Sequence, residues 1–173
     1  MLPKKLAKVV LGSSVIRVFG EGTKKDLIKI LEGINIKDLL KLESQEDYRN
    51  WFEEHLSKIA EKIKLKNSTN ERIGDGYKWG HAAKVLNLFV RDLVESKRIF
   101  NKTQADKIEY WLYIPIDSKV IKKLKELGVK LQFSKIKEID NKEKFYEVQN
   151  LLGRIAEEVG VPRIWFDDIW IDN

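Results

Sequence analysis

The stretch that decides the fold is residues 79–97, WGHAAKVLNLFVRDLVESK. It contains no proline, and apolar side chains occupy most of its positions, so few polar residues interrupt it. A helix that is apolar on most sides is covered by other elements. We therefore expect residues 79–97 to form the central helix of the protein.

Helical signals also dominate on either side of this stretch. Between residues 44 and 63, apolar side chains recur at i, i+3, i+4 and i+7, which predicts an amphipathic helix. Apolar and polar residues alternate over 129–133, which indicates a brief extended piece. Residues 164–172, which include aromatic and acidic side chains, are predicted to form an extended C-terminal strap. The sequence predicts an all-α fold, with one domain over residues 1–173 and six to eight helices beginning near residues 23, 35, 44, 79, 103, 117 and 141.

Composition limits the class of protein. The 173 residues suit a single domain, and 43% hydrophobic with 35% charged residues is too apolar for a disordered chain. The sequence has no cysteine, which excludes disulfides and thiolate ligands, and it lacks a run of about 18 uncharged apolar residues. We expect a soluble, cytoplasmic protein without a signal peptide or membrane partner.

The charge is unevenly distributed along the chain. Residues 1–66 carry a net charge of +4, residues 67–140 carry +5, and residues 141–173 carry −3. A basic surface favours phosphate backbones, which makes a nucleic acid one expected partner. The same Lys- and Glu-rich composition is also typical of surface ion pairs in thermophilic proteins. A polyanion is expected to approach away from the acidic tail.

The residues that often bind metals do not form a recognisable motif. His55 and His81 are 26 residues apart, and neither has a second histidine at helical spacing. Aromatic residues separate Asp167 and Asp168 from Asp172, so a calcium loop is not expected. The sequence predicts no metal site and no cofactor, and His55 is expected to be a packed core residue.

Lys84 and Asp117 are the candidate catalytic residues. Lys84 lies in the apolar helix, where a buried ammonium without a partner is costly. Asp117 follows Pro115 at a predicted helix start, where amide donors stabilise a carboxylate. If the two face each other, the amine is a nucleophile and the carboxylate its acid/base helper. The alternative is that Asp117 only caps its helix and Lys84 reaches solvent beside Arg91.

The two motifs, GHAAKVLNL at 80–88 and PIDSKV at 115–120, are similar to those of the helix-hairpin-helix DNA glycosylase superfamily. Their 33-residue separation resembles the archaeal 8-oxoguanine glycosylase branch. The resemblance covers roughly residues 74–127 and implies that Lys84 attacks the sugar of a flipped-out nucleotide while Asp117 assists. Residues 76–80, GYKWG, lack the proline of the family's hairpin turn. The motifs also resemble those of uncharacterised small helical proteins.

The resemblance and the basic middle of the chain suggest which residues contact DNA. Trp79 and Trp111 are candidates for stacking on bases, although packing in the core is the alternative. A non-catalytic module that binds nucleic acid or a protein is the second hypothesis, and a protein-binding role of the tail is the third. The candidate nucleic-acid-binding residues are Lys78, Gly80, His81, Arg91 and Lys119.

Overall fold

The structure is a computed structural model that describes residues 2–65, 78–96 and 99–171. Within these residues, extended backbone pairs only at an isolated antiparallel bridge between Phe19 and Leu65. The all-α prediction is confirmed. The predicted loop at 66–76 lies outside the described residues. The helices are α1 (Leu2–Val10), α2 (Ser13–Ile16), α3 (Thr23–Gly33), α4 (Ile36–Leu39), α5 (Gln45–Lys62), α6 (Trp79–Glu95), α7 (Lys102–Glu109), α8 (Ser118–Glu126), α9 (Lys142–Val159) and α10 (Trp165–Ile171).

Helix α5 shows how local sequence sets an element. The Ser44 hydroxyl accepts a hydrogen bond from the Asp47 amide at 3.1 Å, and the Asp47 carboxylate accepts one from the Ser44 amide at 3.0 Å. This reciprocal capping box satisfies amides that have no partner within the helix. The side chains at the predicted apolar spacing are buried: Tyr48, Trp51, Phe52, Leu56 and Ile59.

Helix α6 is central, as the sequence predicted. It packs against α1, α5 and α7 and against a 3-10 turn at Ile136–Glu138. Gly80 permits the last of these contacts, because a Cβ atom at this position would overlap the Ile136 carbonyl oxygen. The buried apolar residues form a cluster with contributions from α1 to Ile164, just before α10. The core therefore surrounds α6 and fixes the direction of its few polar side chains.

The C-terminal segment differs from the prediction. Residues 165–171 are not an extended strap but form the helix α10, which packs against α8. Phe166 and Trp170 are one helical turn apart, their rings stack at 5.4 Å, and both pack against the core. The aromatic residues therefore stabilise a short amphipathic helix, a period-3.6 pattern that their acidic neighbours concealed.

Two other segments refine the predicted boundaries. Helix α7 ends at Glu109, before the limit set by Pro115, and residues 112–117 form neither a helix nor a strand. Residues 129–133 are irregular and pair with no strand, and Phe133 is buried there. Among the described helices, none has the length and apolar character needed to cross a membrane.

Candidate functional site

The polar residues of α6 lie along one stripe of the helix. His81, Lys84, Asn87 and Arg91 are spaced by three or four residues, which places them on the same side of an α-helix. The remaining positions are mostly buried and apolar. This stripe faces the segment that leads into α8, and it meets α10 at its C-terminal end.

The buried side-chain amides of Gln149 and Asn87 hold the segment before α8 in place. The Ile114 amide donates to Gln149 Oε1 at 3.0 Å, and the Ile114 carbonyl accepts from Gln149 Nε2 at 2.8 Å. Asn87 Nδ2 donates to the same carbonyl at 3.3 Å. Buried backbone groups outside helices need such partners. These bonds fix the backbone segment that leads to Asp117 and place Asp117 beside the stripe of α6.

Asp117 is the N-cap of α8. Its Oδ1 accepts hydrogen bonds from the amides of Lys119 at 2.9 Å and Val120 at 3.1 Å. These amides belong to the first helical turn and have no partner within the helix, and they orient the carboxylate. The second oxygen, Oδ2, remains available to a side chain of another element.

Lys84 takes that second oxygen. Its Nζ lies 3.2 Å from Asp117 Oδ2, and the two side chains are 24% and 31% exposed. The structure therefore brings the two predicted catalytic residues together across 33 residues of sequence. Asp117 also caps its helix, as the alternative interpretation expected, but it uses a different oxygen for each task. This distance is short enough for direct proton transfer between an amine and a carboxylate.

Arg91 is occupied by acidic neighbours. It donates to Asp92 at 3.1 Å and to the nearly buried carboxylate of Asp167 on α10, and Glu95 lies 3.6 Å away. Burial raises the pKa of Asp167, the charge of Arg91 opposes the rise, and Asp117 adds to it. These contacts argue against Arg91 as a ligand for phosphate. They also correct the expectation that the acidic tail lies away from the site, because Asp167 is within electrostatic reach of Asp117.

Gly80 and His81 are also engaged inside the protein. The Gly80 amide donates to the Ile139 carbonyl at 2.9 Å, so it is not free to bind a phosphate. His81 is buried with its ring edge-on to Phe19, at 6.1 Å between centroids. Burial and then the charge of Lys84 lower the pKa of His81 to about 4, and the imidazole is neutral at pH 7. A neutral, buried ring offers no cation to DNA.

The predicted stacking residues pack within the protein. The Trp79 ring lies 4.9 Å from that of Phe145 and 6.2 Å from that of Tyr146. Trp111 is half-buried, and Lys107 Nζ lies 5.2 Å from its ring centroid. These contacts support the core-packing interpretation of both tryptophans. Among the predicted DNA contacts, Lys119 is exposed and Lys78 is half-buried, and neither lysine forms an ion pair with another described residue.

The sequence interpretation missed the residues that position the pair. Asn87 is one of the few polar residues in an apolar stretch, and this was a usable signal for a buried hydrogen bond. Gln149 gave no comparable signal, because nothing in the sequence indicates that it lies opposite Ile114. Within the described parts of the chain, no group of three His, Asp or Glu side chains is arranged to hold a metal ion.

The site is therefore a lysine–aspartate pair, held by two capping amides on one side and by a central helix on the other, with an acidic helix next to it. Comparisons of the chain with protein-family models, with curated proteins and with solved structures found no match.

Proposed function

We propose that this protein binds DNA and excises damaged bases, with Lys84 as the nucleophile and Asp117 as its acid/base partner. The observation that carries the proposal is the 3.2 Å approach of Lys84 Nζ to an oxygen of Asp117 that takes no part in the helix cap. Both side chains retain partial exposure, so a substrate atom has access to them. The resemblance of their sequence motifs to DNA glycosylases agrees with this geometry.

The proposed reaction uses both groups. Asp117 accepts a proton from the Lys84 ammonium, and the free amine attacks C1′ of the damaged nucleotide. The bond from C1′ to the base breaks, and the base leaves with the electron pair and takes the proton from Asp117. One of the two protons on the attacking nitrogen then moves to the ring oxygen, the bond from C1′ to that oxygen breaks, and the sugar opens to an iminium ion.

Basic side chains near the pair support contact with the DNA backbone. Lys119 is exposed and lies two residues after Asp117, and Lys78 precedes the first turn of α6. Each lysine that neutralises a phosphate releases counterions, so binding weakens steeply with added salt. The acidic residues of α10 limit the approach on their side, and we place the DNA across the N-terminal ends of α6 and α8.

The proposal is tested by base release from DNA duplexes that carry oxidised, deaminated or alkylated bases, with 8-oxoguanine first. We expect Lys84→Gln to abolish release and Asp117→Asn to slow it by about 10²-fold or more, the usual contribution of acid/base catalysis. The matched control is Lys122→Gln, which removes an exposed lysine of α8 that pairs with Glu126 and contacts neither Lys84 nor Asp117. Release that persists in Lys84→Gln, or no release from any of the duplexes, contradicts the proposal.

A non-catalytic DNA-binding module is the second candidate. It is favoured by the completeness of the ion pair, because Lys84 and Asp117 already neutralise each other without a substrate. This candidate predicts DNA binding that depends steeply on salt and that survives both Lys84→Gln and Asp117→Asn, with no base released. Lys119→Gln would then reduce binding, since a phosphate contact is lost.

A further inference from the structure

Arg163 lies between α9 and α10 and is a buried cation. It is only 8% exposed, and its guanidinium donates to three backbone carbonyls. Nε donates to Leu112 at 3.1 Å, Nη1 to Gln149 at 2.9 Å and Nη2 to Trp111 at 3.2 Å. A guanidinium has five N–H donors. One N–H on each terminal nitrogen therefore has no acceptor within the described parts of the chain.

The charge of Arg163 is not neutralised. No carboxylate in residues 2–65, 78–96 or 99–171 forms an ion pair with it. The titratable groups that influence the pKa of Arg163 are the phenols of Tyr48, Tyr113 and Tyr146. The pKa of each of these phenols is raised, with burial as the largest cause, so they stay neutral at pH 7. The ring of Tyr113 lies 4.6 Å from the guanidinium carbon and offers only its π face.

This cation lines a cleft of about 540 Å³. That volume is within the range of small-molecule sites. The apolar part of the wall comes from Ala156, Val161 and the ring of Tyr110. Glu157 also lines the cleft and is exposed to solvent, but it is not among the groups that act on Arg163. The cleft thus combines one buried positive charge with an apolar wall and one acidic residue.

We propose that this cleft binds a small organic carboxylate with an apolar body. A carboxylate accepts two hydrogen bonds from one guanidinium, which matches the two free N–H groups of Arg163. The apolar wall covers the body of the ligand. Glu157 disfavours ligands with more than one negative charge, so inorganic phosphate binds less well. The cleft shares no residue with the Lys84–Asp117 pair, and the inference is independent of the function proposed above.

Gly153 indicates that the position of the guanidinium is specified by the sequence. A Cβ atom at this residue would lie 3.2 Å from Arg163 Nη1. That distance is shorter than most contacts of a Cβ atom, so a larger side chain would require the guanidinium to shift by a few tenths of an ångström. The glycine leaves room for the cation beside the cleft.

The test compares a charged probe with its neutral amide, and with inorganic phosphate, as ligands of the whole chain. Binding of 3-phenylpropionate, 3-phenylpropionamide and inorganic phosphate is measured by titration with amide NMR spectra as the readout. We expect saturable binding of the acid, with shifts at residues 153–163. The affinity should be about tenfold or more lower for the amide, because it loses the paired contact, and for phosphate, because it lacks an apolar body and carries more negative charge beside Glu157.

Variants of Val161 test the charge without disturbing Arg163, because Val161 is only half-buried. Val161→Gln removes part of the apolar wall and serves as the neutral reference for Val161→Glu, which has the same shape and places a negative charge in the cleft. Val161→Glu should bind the acid about tenfold or more weakly than Val161→Gln. Equal affinity for acid and amide overturns the inference. So does equal binding of the acid by Val161→Glu and Val161→Gln, tighter binding of phosphate, or the absence of saturable binding.

Discussion

His81 makes the stability of this protein depend on pH in a predictable direction. Burial, and secondly the charge of Lys84, lower the pKa of His81 to about 4, from the ordinary value of 6.5. Between these two values the unfolded chain binds a proton that the folded protein does not bind. The free energy of unfolding therefore falls as the pH falls through this window, and the full stability is present above pH 6.5.

The size of the effect follows from the difference between the two pKa values. One pKa unit corresponds to 1.36 kcal/mol, so His81 costs the fold about 2 kcal/mol between pH 8 and pH 5 and about 3 kcal/mol well below pH 4. His81→Phe keeps an aromatic ring against Phe19 and cannot take up the proton. It should remove this part of the acid sensitivity.

The assay is urea unfolding followed by tryptophan fluorescence at pH 8 and at pH 5. The wild type should lose about 2 kcal/mol more than His81→Phe between the two pH values. Lys84→Gln should lose less than the wild type, because the variant lacks the nearby charge that disfavours protonation of His81. Equal losses in the wild type and His81→Phe would refute the argument that His81 is buried as a neutral ring.

Three further substitutions test the contacts around the site by urea unfolding. Arg91→Met should cost about 3 kcal/mol because it leaves the Asp167 carboxylate without its cation, and adding Asp167→Asn should recover most of this loss; additive losses would contradict the pairing. Gly80→Ala should lower the free energy of unfolding by about 1–3 kcal/mol, because the added Cβ atom overlaps a backbone carbonyl oxygen. Unchanged stability would show that the 3-10 turn moves to make room for it. Gln149→Leu should cost about 2 kcal/mol because it leaves a buried amide unpaired, whereas unchanged stability would mean that water replaces the glutamine.

Sequence patterns predicted the helices α3 to α9, whereas α1, α2 and α10 were not predicted. Helices α5 and α9 each carry both a side-chain cap and an apolar stripe. Ser44 and Asn141 are side-chain caps, and Gly160, with a φ of 71°, occupies the left-handed position that ends α9. The C-terminal helix was missed because Asp167 and Asp168 made its apolar face appear interrupted. Asp167 is in fact buried and paired with Arg91, a contact that depends on tertiary structure.

The candidate site was predictable only in part. Lys84 stands out as a charge in an apolar helix, and Asp117 stands out as a cap after a proline, so their chemistry was visible in the sequence. The distance between the two residues was not predictable, because it depends on how Gln149 and Asn87 hold the segment that leads to Asp117. Arg163 gave no signal either, since neither its burial nor its three carbonyl partners follow from local sequence.

Borohydride trapping tests the central claim most directly. The protein is mixed with duplexes that contain a damaged base or an abasic site, and borohydride reduces any iminium between Lys84 and the sugar to a stable amine. The proposed mechanism predicts a covalent protein–DNA adduct with the wild type and with Lys122→Gln, and none with Lys84→Gln. An adduct that forms equally well in Lys84→Gln, or no adduct with any duplex, would contradict the role assigned to Lys84.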